Sequence, residues 1–295
     1  MIKGKTFAVI GGDLRNAHIA SALAEKNSEQ NIYAMLFDKE IKLSHRVHKS
    51  NDIKLILPQS DIVIFPVPML GPDGKVNAPL SERKIAVEEC FDYMQPGGMI
   101  LAGKVPYAIH ELAAQKGVEL VDYLEQEEFS VMNSVPTAEG AVEIALRELP
   151  ITLYGSTCII TGYGRISKAL AKLLLAFGAD VRVVARKYGD LAWVGINGAV
   201  PIHISEIDKH LKDADVLFNT VPAMILGEEK LSKLGRSCLI IDLASKPGGV
   251  DFETAKQLGL KTIWALSLPG KVAPITAGEI ILSTVNNILR ERGIM

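Results

Sequence analysis

Cysteine is scarce in this chain: three in 295 residues, Cys90, Cys158 and Cys238, far apart and two of them in predicted strands. That excludes a dense disulfide scaffold and leads us to expect buried free thiols in a reducing cytoplasm. No apolar run reaches the roughly 18 residues needed to cross a bilayer. The opening Met1-Ile2-Lys3-Gly4-Lys5-Thr6 lacks the apolar core and cleavage site of a secretory leader. Neither sign of charge prevails, since 32 Lys and Arg against 34 Asp and Glu leave a formal charge of −2. Nucleic acid and anionic membrane are therefore not expected as partners. His45 and His48 have the spacing of two ligands on a helix, but no third ligand is in view and no metal is expected. What the chain does have is apolar content, 48%, in a length that suggests two domains.

The chain is organised around Thr157-Cys158-Ile159-Ile160-Thr161-Gly162-Tyr163-Gly164-Arg165-Ile166-Ser167. A β-branched run enters a glycine turn, and Ile166, Ala169, Leu170, Leu173, Leu174 and Phe177 then follow at helical spacing, so a buried strand feeds an amphipathic helix. Gly162 permits the tight turn, and Gly164 lets the backbone approach a pyrophosphate seated on the helix N-terminus. Ser167 stands where the fingerprint has its third glycine and is small enough for close packing. The next strand, Asp180 to Ala185, ends in Arg186-Lys187, where an acid would read the ribose of NAD and an arginine accommodates the 2′-phosphate of NADP. NADP(H) is the expected cofactor. Gly162, Tyr163, Gly164, Arg165, Ile166, Arg186 and Lys187 are its expected contacts, joined by Thr220-Val221-Pro222 and Leu243-Ala244 at the ends of two later strands.

The expected class is α/β, with two open parallel-sheet domains: a substrate domain over 1–135 and a Rossmann-type domain over 151–275. In the first, strands at Phe7 to Ile10, Ile32 to Phe37, Ile62 to Phe65, Met99 to Ala102 and Val118 to Val121 alternate with helices, among them Glu82 to Met94 capped by Ser81, and Tyr107 to Lys116. Gly11-Gly12-Asp13-Leu14-Arg15 opens it without the dinucleotide spacing, so either a small anion on Arg15 or a structural turn is possible there. A connecting helix is expected over 136–150, starting at about Ala138 with Thr137 as its cap. Its start would face the inter-domain cleft, which makes Asn133, Ser134, Thr137 and Glu139 either substrate contacts or ordinary caps. Lys246, in the loop after a strand, is a basic group suited to a substrate carboxylate. The second domain adds strands at Val216 to Asn219, Cys238 to Asp242 and Lys261 to Trp264. Thr276-Ala277-Gly278-Glu279 reads as a capping box opening a last helix, 276–295, expected to cross back to the first domain.

Together these motifs resemble one family, the A subunit of dipicolinate synthase from spore-forming bacteria. The blocks are Gly11-Gly12-Asp13-x-Arg15, Asn133-Ser134-x-Pro136-Thr137-x-Glu139-Gly140, Gly162-x-Gly164-Arg165, Asn219-Thr220-x-Pro222-x-Met224-Ile225-Leu226, Asp242-Leu243-Ala244-Ser245-Lys246-Pro247-Gly248-Gly249 and Leu268-Pro269-Gly270-x-Val272-Ala273-Pro274-x-Thr276-Ala277-Gly278, which span nearly the whole chain. The resemblance implies NADP-dependent oxidation of dihydrodipicolinate, or of its hydrated precursor, to pyridine-2,6-dicarboxylate. It further implies partnership with a flavoprotein-like B subunit, a small dicarboxylate substrate, the mother-cell cytoplasm of a sporulating bacterium and a homo-oligomer. For that chemistry Ser134, Thr137, Arg165 and Lys246, with Arg15 and Lys271 behind them, are the expected carboxylate donors, and Glu139 or Asp242 the expected base. Two alternatives stay open. One is another two-domain dehydrogenase, such as a 2-hydroxyacid or methylenetetrahydrofolate enzyme; a hydroxyacid enzyme of this build would need a His–acid pair, and His203 and His210 are poorly placed for it. The other is a nucleotide-binding regulatory protein with catalysis in its partner.

Overall fold

A computed structural model describes residues 4–26 and 30–294; Met1 to Lys3, part of the opening judged to lack a leader, lie outside the described residues. The chain divides into two compact units, Met1–Met132 with Ala273–Met295, and Asn133–Val272.

The first unit is built on β1 (Thr6–Ile10), β2 (Asn31–Met35), β3 (Val47–Lys49), β4 (Ile62–Ile64), β5 (Met99–Ala102) and β6 (Glu119–Asp122), all parallel in the order β3-β2-β1-β4-β5-β6. Its helices are α1 (Leu14–Lys26), α2 (Ile53–Ile56), α3 (Val87–Tyr93), α4 (Tyr107–Gln115) and the opening of α5 (Glu127–Glu148). Alternate residues of a strand point to opposite faces. Phe7 and Val9 accordingly enter a core with Ile19, Ala20 and Leu23 of α1, while Ala8 and Ile10 enter another with Phe91 of α3 and Ile109 of α4.

The second unit repeats the plan with β7 (Thr157–Thr161), β8 (Asp180–Ala185), β9 (Val200–His203), β10 (Val216–Asn219), β11 (Leu239–Asp242) and β12 (Lys261–Trp264), parallel in the order β9-β8-β7-β10-β11-β12. Its further helices are α6 (Arg165–Ala176), α7 (Tyr188–Ile196), α8 (Glu228–Leu231), α9 (Phe252–Gln257) and α10 (Leu268–Val272). Cys158 and Ile160 face one core and Ile159 the other, the same two-residue alternation. The α/β reading with two open parallel sheets is borne out, and the shared strand order is that of a doubly wound nucleotide-binding fold. The last helix, α11 (Pro274–Glu291), belongs to the first unit, where Ile281, Val285 and Leu289 complete the core that α1 faces.

Several expectations are corrected. The connecting helix starts at Glu127 rather than near Ala138, and Pro136 lies inside it. Two glutamates in its first turn complement the helix dipole. Thr137, expected as a cap, instead turns its hydroxyl back to donate to Asn133 O at 2.8 Å in the turn where proline contributes no N–H. Ser81 does not cap a helix from Glu82; its hydroxyl donates to Asp38, Ile85 O accepts from Val76 N at 3.0 Å, and the helix begins only at Val87. The capping box at Thr276 is absent because α11 already starts at Pro274 and the Glu279 carboxylate is bound elsewhere. His48 lies in β3 with its ring 5.5 Å from that of Tyr33, not on a helix. Among the described residues no cluster of His, Cys, Asp or Glu could hold a metal ion, and no helix is long and apolar enough to cross a membrane.

Candidate cofactor site

The in-register ends of three central strands of the second unit carry a polar row where the rest of the strands are apolar. Thr161, Asn219 and Asp242 are direct neighbours in the sheet, all fully buried. The Thr161 hydroxyl donates to Asn219 Oδ1 at 2.6 Å, and Asn219 Nδ2 donates to Asp242 Oδ1 at 2.8 Å and to Val221 O at 3.0 Å. Asp242 accepts from the Ala244 amide at 3.0 Å and the Gly249 amide at 2.9 Å. Buried polar groups persist only when bonded in this way. The row therefore fixes the two loops that follow β10 and β11. Gly249 allows the closest approach: a Cβ there would stand 2.4 Å from Asn219 Nδ2. Trp264, the next residue in register, closes the arrangement by donating from Nε1 to Ala244 O at 3.0 Å.

Beside this row lies the glycine turn. Gly162 has φ +90°, its amide donates to Val184 O at 2.8 Å, and a Cβ on it would meet Thr220 Oγ1 and Val221 Cγ2, both at 2.7 Å. Gly164 precedes α6 without any side-chain cap, and nothing lies within 4 Å of where its Cβ would be. Open space before an uncapped helix N-terminus is what a pyrophosphate requires. Ser167 is fully buried in the first turn of α6, and its hydroxyl has no partner among the described residues. Arg186 and Lys187 follow β8 and are exposed.

The turn of the first unit is closed. The Gly12 amide donates to Asn77 O at 2.7 Å, and Asn77 O would stand 2.9 Å from a Cβ on Gly11. Asn16 Oδ1 fills the space beside Gly12, 2.1 Å from where a Cβ would be. Arg15 donates from Nε and Nη2 to the Asp13 carboxylate, both at 2.9 Å, and from Nη2 to Val67 O at 2.9 Å. Of the two readings offered for this turn the structure favours the structural one, because Asp13 neutralises Arg15 where it stands.

The expected cofactor residues thus come together on four neighbouring strands, at the carboxyl ends of β8, β7, β10 and β11. Leu243 and Ala244 are buried, Leu243 in the core, so they offer a ligand backbone at most. Lys246 is exposed in the loop that Asp242 anchors. The catalytic expectations fare less well. Asp242 is enclosed and both its oxygens accept hydrogen bonds, so it is a structural anchor. Ser134 and Thr137 are buried on α5. Glu139 is exposed on that helix and lines a groove with Leu173 and Phe177. Leu173 is two turns beyond the glycine turn, about 12 Å along α6.

Two features escaped sequence reasoning. Asn219, the hub of the polar row, carries no local signal apart from its place at a strand end. In the first unit His18 Nε2 and Glu279 Oε1 are 2.7 Å apart, and Lys26 Nζ donates to Glu279 Oε2 at 3.0 Å. Gly278 lets α11 reach α1, since a Cβ on it would stand 2.8 Å from Arg15 O. The His18 hydrogen bond holds the Glu279 carboxyl below the usual glutamate value, with Lys26 adding to it against partial burial.

Residues 6–124 match the family model for the N-terminal domain of the A subunit of dipicolinate synthase, and residues 136–248 match the NAD binding domain of D-isomer specific 2-hydroxyacid dehydrogenases. The chain is 35% identical to the A subunit of dipicolinate synthase from Bacillus subtilis (strain 168) over 99% of its own length and 98% of that protein's. The crystal structure of the corresponding dipicolinate synthase chain from Bacillus halodurans superposes with a TM-score of 0.90 at 31% identity, covering 98% of this chain and 99% of that one. The Bacillus subtilis chain does so at 0.88 and 35%, covering 99% and 97%.

Proposed function

The chain belongs to the family of dipicolinate synthase A subunits, and on that premise we propose that it oxidises dihydrodipicolinate, or its hydrated precursor, to pyridine-2,6-dicarboxylate with NADP, acting with a B subunit. The observation that carries this reading is the contrast between the two glycine turns. The turn at Gly164 is open in front of an uncapped helix, whereas the turn at Gly12 is filled by Asn77 and Asn16. A nicotinamide dinucleotide then belongs to the second unit, in keeping with the dehydrogenase-type domain matched there.

The Gly164-to-Ile166 amides would take the pyrophosphate, the loops after Asn219 and Asp242 the nicotinamide half, and Arg186 with Lys187 the 2′-phosphate. No acid stands at the end of β8 to accept the ribose hydroxyls of NAD, and this favours NADP. A bound nicotinamide would supply the hydride acceptor for dihydrodipicolinate, whose ring becomes aromatic on loss of one hydride and one proton; the hydrated precursor would first lose water. The chain's part is orientation. Lys246 is an exposed cation on a loop pinned by Asp242, suited to one substrate carboxylate, and Arg165 at the start of α6 to the pyrophosphate or a second carboxylate. Asp242, enclosed and hydrogen-bonded, positions that loop and is not proposed as the base.

The test is formation of pyridine-2,6-dicarboxylate by the purified chain given NADP and freshly generated dihydrodipicolinate, with and without the B subunit. Product with this chain alone is the outcome expected if the catalytic groups are its own. Product only with the partner would make the site shared, and none in either case would sink the reading.

A further inference from the structure

Helix α7 is apolar in sequence and yet gives the core a single side chain, Val194. Of Tyr188-Gly189-Asp190-Leu191-Ala192-Trp193-Val194-Gly195-Ile196 only Val194 is buried, while Trp193 is 61% exposed, Ile196 76% and Tyr188 77%. A surface helix normally turns its apolar stripe inward, so a tryptophan and an isoleucine left on the outer side of one helix need a partner. Trp193 also forms one wall of a groove of about 640 Å³ between α6 and α7. Its floor is apolar, with Ala171, Leu175 and Ala199, and Lys168 and Lys172 stand along its α6 side one helical turn apart. Among the described residues no aspartate or glutamate lines it.

We propose that this groove between α6 and α7 docks the partner protein, which sets an apolar side chain against Trp193 and carboxylates against Lys168 and Lys172. The proposal rests on the reading that the chain acts with a B subunit. Charge decides between that occupant and a second copy of this chain. A two-fold contact centred on the groove places the same surface on both sides, so Lys168 and Lys172 would face their own counterparts with no carboxylate in the lining to separate them. A partner with acidic residues around an apolar anchor meets both features at once, and a buried tryptophan is the kind of residue on which such contacts depend. The groove also touches the cofactor turn. Tyr163, between Gly162 and Gly164, accepts from Asn197 Nδ2 at 3.2 Å, and Lys168 Nζ lies 5.2 Å from the centre of its ring.

The experiment is calorimetric titration of the full chain with the purified B subunit of dipicolinate synthase at low and high salt, for wild type, Trp193→Ala and the double variant Lys168→Glu/Lys172→Glu. Sedimentation of each chain alone and cooperative thermal unfolding serve as controls. Trp193→Ala is expected to weaken binding at least about tenfold. The double variant should weaken it comparably and flatten its salt dependence, and both should unfold as cooperatively as wild type. Equal binding by wild type and both variants would overturn the proposal and leave the partner reading intact. Failure of the wild-type chain itself to bind the B subunit would remove the partner reading and the proposal together. Loss of self-association in Trp193→Ala, with binding to the B subunit unchanged, would assign the groove to a second copy and overturn the proposal.

Discussion

Asn219 makes four hydrogen bonds from one buried amide: it accepts from Thr161 and the Val221 amide and donates to Asp242 and Val221 O. Truncation to alanine strands the Thr161 hydroxyl in the core and takes from Asp242 Oδ1 one of its two donors, leaving it the Ala244 amide. Asn219→Ala should therefore lower the free energy of unfolding by about 2–4 kcal/mol, read from urea denaturation with an unchanged m-value. In sequence Asp242 resembles a base because a carboxylate at a strand end commonly is one. Its real partners are amides two and seven residues further on, and their bonds depend on a loop fold that spacing does not reveal. The place of Arg186, directly after β8 and exposed, is legible from its spacing to the glycine turn, because one helix and one strand of regular rise separate them; its 2′-phosphate role is what we propose. Arg186→Ala should weaken NADPH about ten- to a hundredfold, the worth of a hydrogen bond to a charged group, and hardly affect NADH. Fluorescence titration with both cofactors checks it, and equal losses would refute the 2′-phosphate role.

The glycine turns give the element-scale test. Gly164 has extended backbone and open space beside it, so Gly164→Ala should keep wild-type thermal stability and lose NADPH affinity, because the methyl would fill the space proposed for the pyrophosphate. Gly12 has φ +93° and Asn16 where a Cβ would go. Gly12→Ala should cost about 1–3 kcal/mol of stability and leave cofactor affinity alone, read by the same two measurements. The elements themselves are unevenly legible. The buried central strands are continuous apolar runs and stand out in the sequence; β3 and β9 do not, because Val-His-Lys and Val-Pro-Ile-His are short sequences at sheet edges, where a proline and exposed polar side chains are tolerated. Pro136 hides the first half of α5, since a proline is ordinarily a reason to end a helix. Glu279 reads as a cap because Thr-x-x-Glu is a local pattern, while its real partner, His18, is 261 residues away.

Across the whole molecule, acid should act on the contact between α1 and α11. A carboxyl held below its ordinary value contributes stability above the unfolded chain's pKa and loses it as pH falls through the lowered value. Wild type should therefore exceed Glu279→Gln in stability above the ordinary glutamate value of 4.5, and the two should converge below it. The gap should stay under about 1 kcal/mol because the pair is partly solvated, and denaturation at stepped pH measures it. The three thiols are also sealed: burial pushes Cys90 and Cys238 up to about 12 and Cys158 up to about 11. Iodoacetamide at pH 8 should label none of them in the native protein and all three after unfolding, and rapid native labelling would contradict the burial. The plugged turn at Gly12 has a consequence for counting. Two sheets of one topology suggest two equivalents of nucleotide, but Asn77 O already takes the amide a second phosphate would need. Equilibrium dialysis should saturate at a single equivalent per polypeptide, along a simple hyperbola.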